Sequence, residues 1–286
     1  SVLSFKSIFS EKNVQQVWTF FIYYNPKSHN LKAFSKFVHL VEKHMANQTI
    51  SKAFNVLFTY PIWRIEIDAE NRLIAVETRN PADTLPYFNI ITFDGDYLIQ
   101  DLEAISKEWV LAGVQCQKLI LKKISSNSPI DAGIHVIDCY QPDQQETWFN
   151  YLFLEMVKDG VLLRPKMIEQ GLQLFLDLKT MSIENKKEES FKPFDGQIVY
   201  PIIYNGQVPQ FLTDFTVDDE IWVSAVDDYF IWAFYEKNTA DHYQIRIVRS
   251  TKDTLIDSVI AVDQLSLKFF NIYFLVNEQI FLLTDN

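Results

Sequence analysis

After Pro61 the chain breaks into short apolar runs separated by polar turns, and this texture most narrows what it can fold into. The runs are Trp63 to Ile67, Leu73 to Val76, Phe88 to Phe93, Lys118 to Ile124, Ile134 to Ile137 and Gly171 to Leu176. Segments of roughly four to eight residues with turns between them predict an all-β sandwich, barrel or propeller. An aromatic content of 15% supports strands, because such side chains suit a pleated, half-buried surface. With 286 residues the chain is long enough to bury a large core.

A repeat can be read from the tryptophans. Trp63, Trp109, Trp148 and Trp222 are separated by 46, 39 and 74 residues, the last close to two periods of 37. Apolar runs follow each of them, at Leu73, Leu119, Val161 and Phe230, and a second set follows at Phe88, Ile134, Leu172 and Tyr243. The reading makes these the first and second strands of recurring units. A compressed copy between Phe191 and Trp222 would use Ile198 to Tyr204 and Phe211 to Val217, and a truncated copy would run from Phe269 to the C-terminus. The expected architecture is therefore all-β: an irregular β-propeller-like repeat of about five to six small sheets, spanning residues 61–286. With only 7 Gly residues, a regular Gly-punctuated propeller and Gly-rich phosphate loops are both disfavoured.

Residues 1–60 read differently, as a short helical N-terminal segment. Leu31, Phe34, Phe37, Val38, Val41 and Met45 recur at helical spacing with Asn30 placed to cap them, and Thr49 to Phe58 is expected to form a second short helix before Pro61. The mixed-charge run from Glu184 to Ser190 is expected to be a solvated loop.

The segment Gly133-Ile-His-Val-Ile-Asp138, followed ten residues later by Trp148, resembles one blade of the quinoprotein-type propellers. It departs from that pattern because Gln141-Pro-Asp-Gln-Gln145 stands where the blade has paired glycines, so no quinone cofactor is implied. Over Ile62 to Trp148 the chain also resembles a domain-of-unknown-function family found mainly in Bacteroidetes. Ile62-Trp-Arg-Ile-Glu-Ile-Asp68, Val76-Glu-Thr-Arg79, Glu108-Trp109, Pro129 and Gly133 to Asp138 carry that resemblance. It implies no activity and no ligand.

The motifs of the common catalytic classes are missing: there is no Gly-x-Ser-x-Gly, no phosphate loop, no Cys-x-x-Cys and no His-Glu-x-x-His. No catalytic residue, metal site or cofactor is expected. His39 and His44 are five apart, which on a helix turns them away from one shared metal, and His135 alternates with Ile134 and Val136 on a strand. Asp94, Asp138 and Asp177 are expected to hold turn amides at strand ends. Trp222, Tyr229, Trp232 and Tyr235 are read as core first and as a sugar-stacking platform second.

A net charge of −11 makes nucleic acid and anionic membrane surfaces poor partners. Two cysteines, Cys116 and Cys139, are too few for a disulfide framework, and no apolar stretch near the start has the length of a membrane span; both fit a cytoplasmic protein. The densest acidic feature is Asp214, Asp218, Asp219, Glu220, Asp227 and Asp228, read as solvated turns that form a binding surface for a basic protein. The expectation is a non-enzymatic binding or scaffold protein acting through loops of a propeller-like domain. The alternative is a carbohydrate-active hydrolase or lectin on the same architecture.

Overall fold

The computed structural model describes residues 16–22, 50–124, 133–168, 171–185, 191–226, 228–238, 242–268, 272–277 and 279–285. Among the described residues the chain is all-β, in five antiparallel sheets. The first sheet is a meander of β3 (Ile62–Asp68), β4 (Leu73–Arg79), β5 (Pro86–Thr92) and β6 (Tyr97–Glu103). β7 (Trp109–Gln115), β8 (Lys118–Lys123), β9 (Ile134–Asp138) and β10 (Gln145–Trp148) form the second. The third holds β11 (Tyr151–Val157), β12 (Gly160–Pro165), β13 (Leu174–Asp177) and β14 (Ser182–Glu184). β16 (Ile202–Ile203), β17 (Ile221–Val226), β18 (Tyr229–Lys237), β19 (Tyr243–Ser250) and β20 (Leu255–Leu265) make the fourth. The fifth runs β15 (Ile198–Val199), β21 (Tyr273–Val276), β22 (Gln279–Asp285), β1 (Gln16–Ile22) and β2 (Ser51–Leu57).

The helical reading of the N-terminal segment is corrected where it can be checked. Of the helix expected over Thr49 to Phe58, the described part is not helical: Ser51–Leu57 pairs along its length with β1, which pairs in turn with β22. Ladder bonding to a strand about thirty residues away overrides a local helical pattern. The helix expected over 31–45 lies outside the described residues, as do residues 186–190 of the mixed-charge run. The only helical turn described is a 3-10 turn at Gln210–Leu212. The compressed copy is corrected too: β15 and β16 serve two different sheets, and Phe211 to Val217 packs as a non-strand segment against the fourth.

The chain falls into two compact units, Phe58–Gln197 and Gln16–Leu57 with Ile198–Asn286. In the first unit, alternation along each strand sends side chains to two different cores. Leu119, Leu121 and Ile137 of the second sheet join Leu73, Ala75 and Phe88 of the first, while Ile120, Ile134 and Val136 join Val161, Leu163 and Leu176 of the third. A strand covered on both faces reads as a near-continuous apolar run. That is why β4 and β7 are buried along nearly all their length while β10, at the other edge of the second sheet, is not. In the second unit Trp222, Ile231, Ala233 and Tyr235 share a core with Tyr273 and Leu275 of the fifth sheet; the opposite face of the fourth buries Trp232 and Phe234 under Phe211 and Phe215.

A structural repeat exists in the first unit, but its frame is not tryptophan. Trp63 and Trp109 lie on first strands, whereas Trp148 ends a fourth strand and Trp222 lies on β17. The apolar run at Phe230 lies on β18, third in the fourth sheet, and those at Leu73, Leu119 and Val161 are second strands, one later than the sequence reading placed them. What recurs is the turn into those strands. Arg72, Gln117 and Asp159 each precede the second strand of a sheet with φ of 56°, 62° and 63°. Their carbonyls accept hydrogen bonds from Phe93, Cys139 and Leu178 at 3.0, 2.9 and 3.1 Å. All three of those donors belong to fully buried residues.

The third strands of the second and third sheets also end alike. Asp138 Oδ1 accepts from the amides of Tyr140 and Gln141, both at 2.9 Å, and Asp177 Oδ1 from those of Lys179 and Thr180 at 2.9 and 3.0 Å. These are the turn-capping roles read for both residues. Asp94 has a different role: Thr92 Oγ1 accepts the amides of Asp94 and Asp96, and the Asp94 carboxylate pairs with Arg72 at 3.1 Å. Burial works to raise the Asp138 carboxyl, but Lys118 and the two turn amides outweigh it and hold it below the usual aspartate range. Its stabilisation is therefore present above the unfolded-state pKa and lost as pH falls through the lower folded value. Asp138→Ala and Asp177→Ala are each expected to cost about 1 kcal/mol, the scale of a net hydrogen bond, measured by denaturant unfolding. In the Asp138 variant the loss should shrink on acidification.

Candidate functional site

The acidic residues lie on the second unit, around the segment that leads into β17. Asp214, Asp219, Glu220 and Asp228 are exposed and Asp218 is half-buried; Asp227 lies outside the described residues. Sequence proximity offered no cation, but the fold supplies one. Lys268, following β20, places Nζ 3.0 Å from Asp218 Oδ2, 3.3 Å from Asp219 Oδ2 and 3.2 Å from the Asp218 carbonyl. The same ammonium lies 5.1 Å from the Tyr243 ring and 5.8 Å from that of Tyr235. Burial works against its charge, yet the two carboxylates prevail and raise it above the usual lysine range. Asp218 is tied further by its amide, which donates to the Tyr235 carbonyl at 2.7 Å. Asp218 and Asp219 are thus structural ion-pair partners, and Asp214, Glu220 and Asp228 are the carboxylates turned to solvent.

Beside them runs an exposed apolar strip. Val199, Tyr200, Ile202, Ile203 and Val208 are all exposed, Ile202 to 68%. β16 forms one edge of the fourth sheet, with Ile203 opposite Trp222, and the Tyr204 amide donates to Ile221 at 2.8 Å. Glu220, immediately before β17, therefore lies just past the C-terminal end of β16.

The residues read as a possible sugar platform are interior. Trp222, Trp232 and Tyr235 are buried, and Trp232 Nε1 donates to Ser250 Oγ at 2.7 Å. Among the described residues no three His, Cys, Asp or Glu side chains converge as metal ligands would. His135 does face away from Ile134 and Val136, and it is buried. Its Nδ1 lies 2.6 Å from Thr147 Oγ1 and its ring 5.8 Å from that of Trp109, while burial holds it below the ordinary histidine range. It borders a small cleft of about 60 Å³, with Phe88, Leu102, Glu103, Trp109 and Gln145 also in its walls. Cys116 and Cys139 are free thiols, both pushed up to about 12, by burial first and then by Asp159 and Asp138 respectively. Neither has the depressed pKa of a reactive cysteine.

Sequence reading passed over one charged group altogether. On the face of the first sheet that meets the second, Arg64 donates through Nε and Nη2 to Glu66 Oε1, both at 2.7 Å. Arg64 lies opposite Glu77 in the ladder. Glu77 is fully buried, accepts from Arg79 Nε and Nη2 at 2.7 Å, and accepts the Leu111 amide of β7 at 2.8 Å. Arg79 lies 4.7 Å from the Trp63 ring centroid. From the second sheet Lys122 sits 4.7 Å above Phe153 of the third, within electrostatic reach of Arg64 and Glu66. The signal in the sequence was two charges spaced i, i+2 inside apolar strands, Arg64 with Glu66 and Glu77 with Arg79, which period-2 alternation puts on one face.

A scan of the chain against protein-family models finds no match, and a search of curated proteins returns no similar sequence. Among the described residues no helix is long and apolar enough to cross a membrane.

Proposed function

We propose that this chain is a non-enzymatic binding protein that docks a basic protein surface through loops of a propeller-like β domain. One observation carries the reading: exposed apolar residues on two edge strands, Val199 of β15 and Ile202 and Ile203 of β16, are followed past the end of β16 by the solvated carboxylate Glu220, with Asp214 six residues before it in the chain. An apolar centre with a charged rim is the anatomy of a protein interface, and a patch of this kind on a soluble surface marks interaction. The rim charge and the chain's net −11 both select a cationic partner and speed its encounter. In this reading the five sheets are blades, the fifth of them built from both Gln16–Ile22 and Gln279–Asp285. The free thiols support a reducing compartment, which we take to be the cytoplasm.

The test neutralises only the solvated rim, as Asp214→Asn with Glu220→Gln and Asp228→Asn, leaving the Lys268 ion pairs intact. The wild type is expected to capture basic proteins from a lysate at low salt and to release them as salt rises, since exposed charges are screened beyond about 8 Å at physiological ionic strength. The triple variant should retain about a tenth or less of that capture, the scale of one to two kcal/mol of lost rim attraction. Equal capture by both proteins at every salt concentration, or glycoside turnover that the changes abolish, would overturn the reading.

A further inference from the structure

We propose that Asn205 is a site of self-modification, at which the Gly206 backbone nitrogen displaces the side-chain amide and turns the neutral loop after β16 acidic, at a rate set by Tyr204. The step uses only the chain and water, and it does not depend on what docks on that edge.

Asn205-Gly206 is the single Asn-Gly step in the chain. Both residues are exposed, in the loop between β16 and the 3-10 turn at Gln210–Leu212. The attack needs an accessible carboxamide, a following backbone nitrogen without a side chain beside it, and a leaving nitrogen that nothing else holds. Glycine meets the second need, since the missing Cβ leaves its nitrogen open and lets the backbone turn. Asn205 Nδ2 is barely held: it donates to the Ile203 carbonyl at 3.5 Å, the far limit of a hydrogen bond. Asn150 is exposed as well, but Tyr151 follows it and shields the corresponding nitrogen.

The Gly206 nitrogen loses its proton to solvent base and bonds to Asn205 Cγ. The Cγ–Nδ2 bond breaks, Nδ2 takes up a proton and leaves as ammonia, and a cyclic imide closes. Water then adds to the side-chain carbonyl of that ring to give aspartate, or to the backbone carbonyl to give isoaspartate. Nothing is oxidised or reduced. Tyr204 sets the pace, because it is anchored and reaches over the reacting peptide. Its ring meets that of Trp232 edge-on at 5.1 Å, its amide donates to the Ile221 carbonyl at 2.8 Å, and its hydroxyl donates forward to the Gln207 carbonyl at 3.0 Å. The phenol covers Gly206 so closely that a Cβ there would lie 2.5 Å from Oη. The peptide that must rotate for the attack is thus pinned on both sides, at Tyr204 and at Gln207. The product sets a full negative charge between Ile203 and Val208, both exposed and apolar, and so changes the character of that edge.

The test incubates the intact chain at neutral and at mildly alkaline pH, digests it at low pH, and follows each asparagine by peptide mapping with mass spectrometry. Asn205 is expected to convert to aspartate and isoaspartate together, several-fold faster than Asn150. The rate should rise at the higher pH, because the attacking nitrogen must first lose its proton. Tyr204→Phe keeps the ring on Trp232 and removes only the hydroxyl, so it is expected to fold and to convert several-fold faster than the wild type. Conversion at Asn205 no faster than at Asn150, aspartate without isoaspartate, a rate indifferent to pH, or an unchanged rate in Tyr204→Phe would each overturn the proposal.

Discussion

Trp109→Ala is expected to lower the stability of the unit Phe58–Gln197 by about 3–5 kcal/mol, the range for emptying a buried aromatic site. Trp109 opens β7 and is 2% exposed. Its indole is enclosed by the first two sheets, in one core with Phe88, Leu111 and Leu121. The fit is close on the far side too, where a Cβ placed on Gly133 would come within 2.9 Å of the ring. Neighbours on two sheets cannot close such a cavity without moving strands, so most of the lost contact stays lost. Trp63→Ala is the informative companion. It occupies the corresponding first strand but is 41% exposed, and its ring carries the Arg79 guanidinium at 4.7 Å. Its loss should cost only about 1 kcal/mol, the scale of an exposed cation–π pair with partial burial. Urea unfolding of the two variants checks both; equal losses would mean that Trp109 does not anchor the two sheets.

Glu77→Ala is expected to be as damaging by a different route. Removing this carboxylate strands the Leu111 amide and the Arg79 guanidinium together, and breaking one side of a buried pair costs about 3–5 kcal/mol. Glu77→Gln should lose clearly less, because the amide oxygen still accepts from Leu111. Burial outweighs Arg79, Arg64 and the Leu111 amide and raises the Glu77 carboxyl above its ordinary value of 4.5. An acid whose folded pKa is raised contributes stability that is fully present below the unfolded pKa and lost as pH rises through the folded value. Wild-type stability should therefore carry a term that declines from about pH 4.5 upward, and this term should vanish in Glu77→Gln. Parallel pH profiles for the two proteins would show that Glu77 does not titrate in this window.

The Glu77 link is one of several polar bridges between sheets. Gln115 donates from Nε2 to the Val157 carbonyl at 2.9 Å and accepts the Asp159 amide, joining the second sheet to the third. In the second unit Asp257 accepts the Ile50 amide at 2.8 Å while held by Arg249 at 2.9 and 3.0 Å, and Tyr273 donates to the Ile231 carbonyl at 2.8 Å. Such bonds to backbone groups fix the register of one sheet against the next, which apolar packing leaves looser. None was visible in the sequence, where a buried polar residue and a solvated one look alike.

Strand content from Trp63 onward was legible in the chain itself. Alternating or continuous apolar runs of four to eight residues leave little else for Leu73 to Val76 or Ile134 to Ile137 to form, whatever surrounds them. The turn roles of Asp138 and Asp177 were legible for the same reason: a carboxylate reaching its own turn amides is a local interaction. The frame of the repeat was not. It rests on Arg72, Gln117 and Asp159 in left-handed backbone conformations, where glycine is the usual marker, so the chain carries no punctuation at its real period. The tryptophans seemed to supply that frame, yet only Trp63 and Trp109 share a place in it.

What the tertiary structure alone decided involves residues far apart in sequence. Ser51–Leu57 became a strand because β1, itself paired with β22, offered it a ladder, and no window around residue 50 contains that partner. The acidic segment divided into ion-paired and solvated residues because Lys268 arrives from about fifty positions away. Glu77 became a link between two sheets because β7 brings the Leu111 amide to it from 34 positions away. Local sequence fixes which backbone conformation and which face a side chain takes, since those depend on neighbours a few residues away. Partner, burial and net charge at a site depend on chain segments brought together only when the sheets pack, and these set the chemistry of this protein.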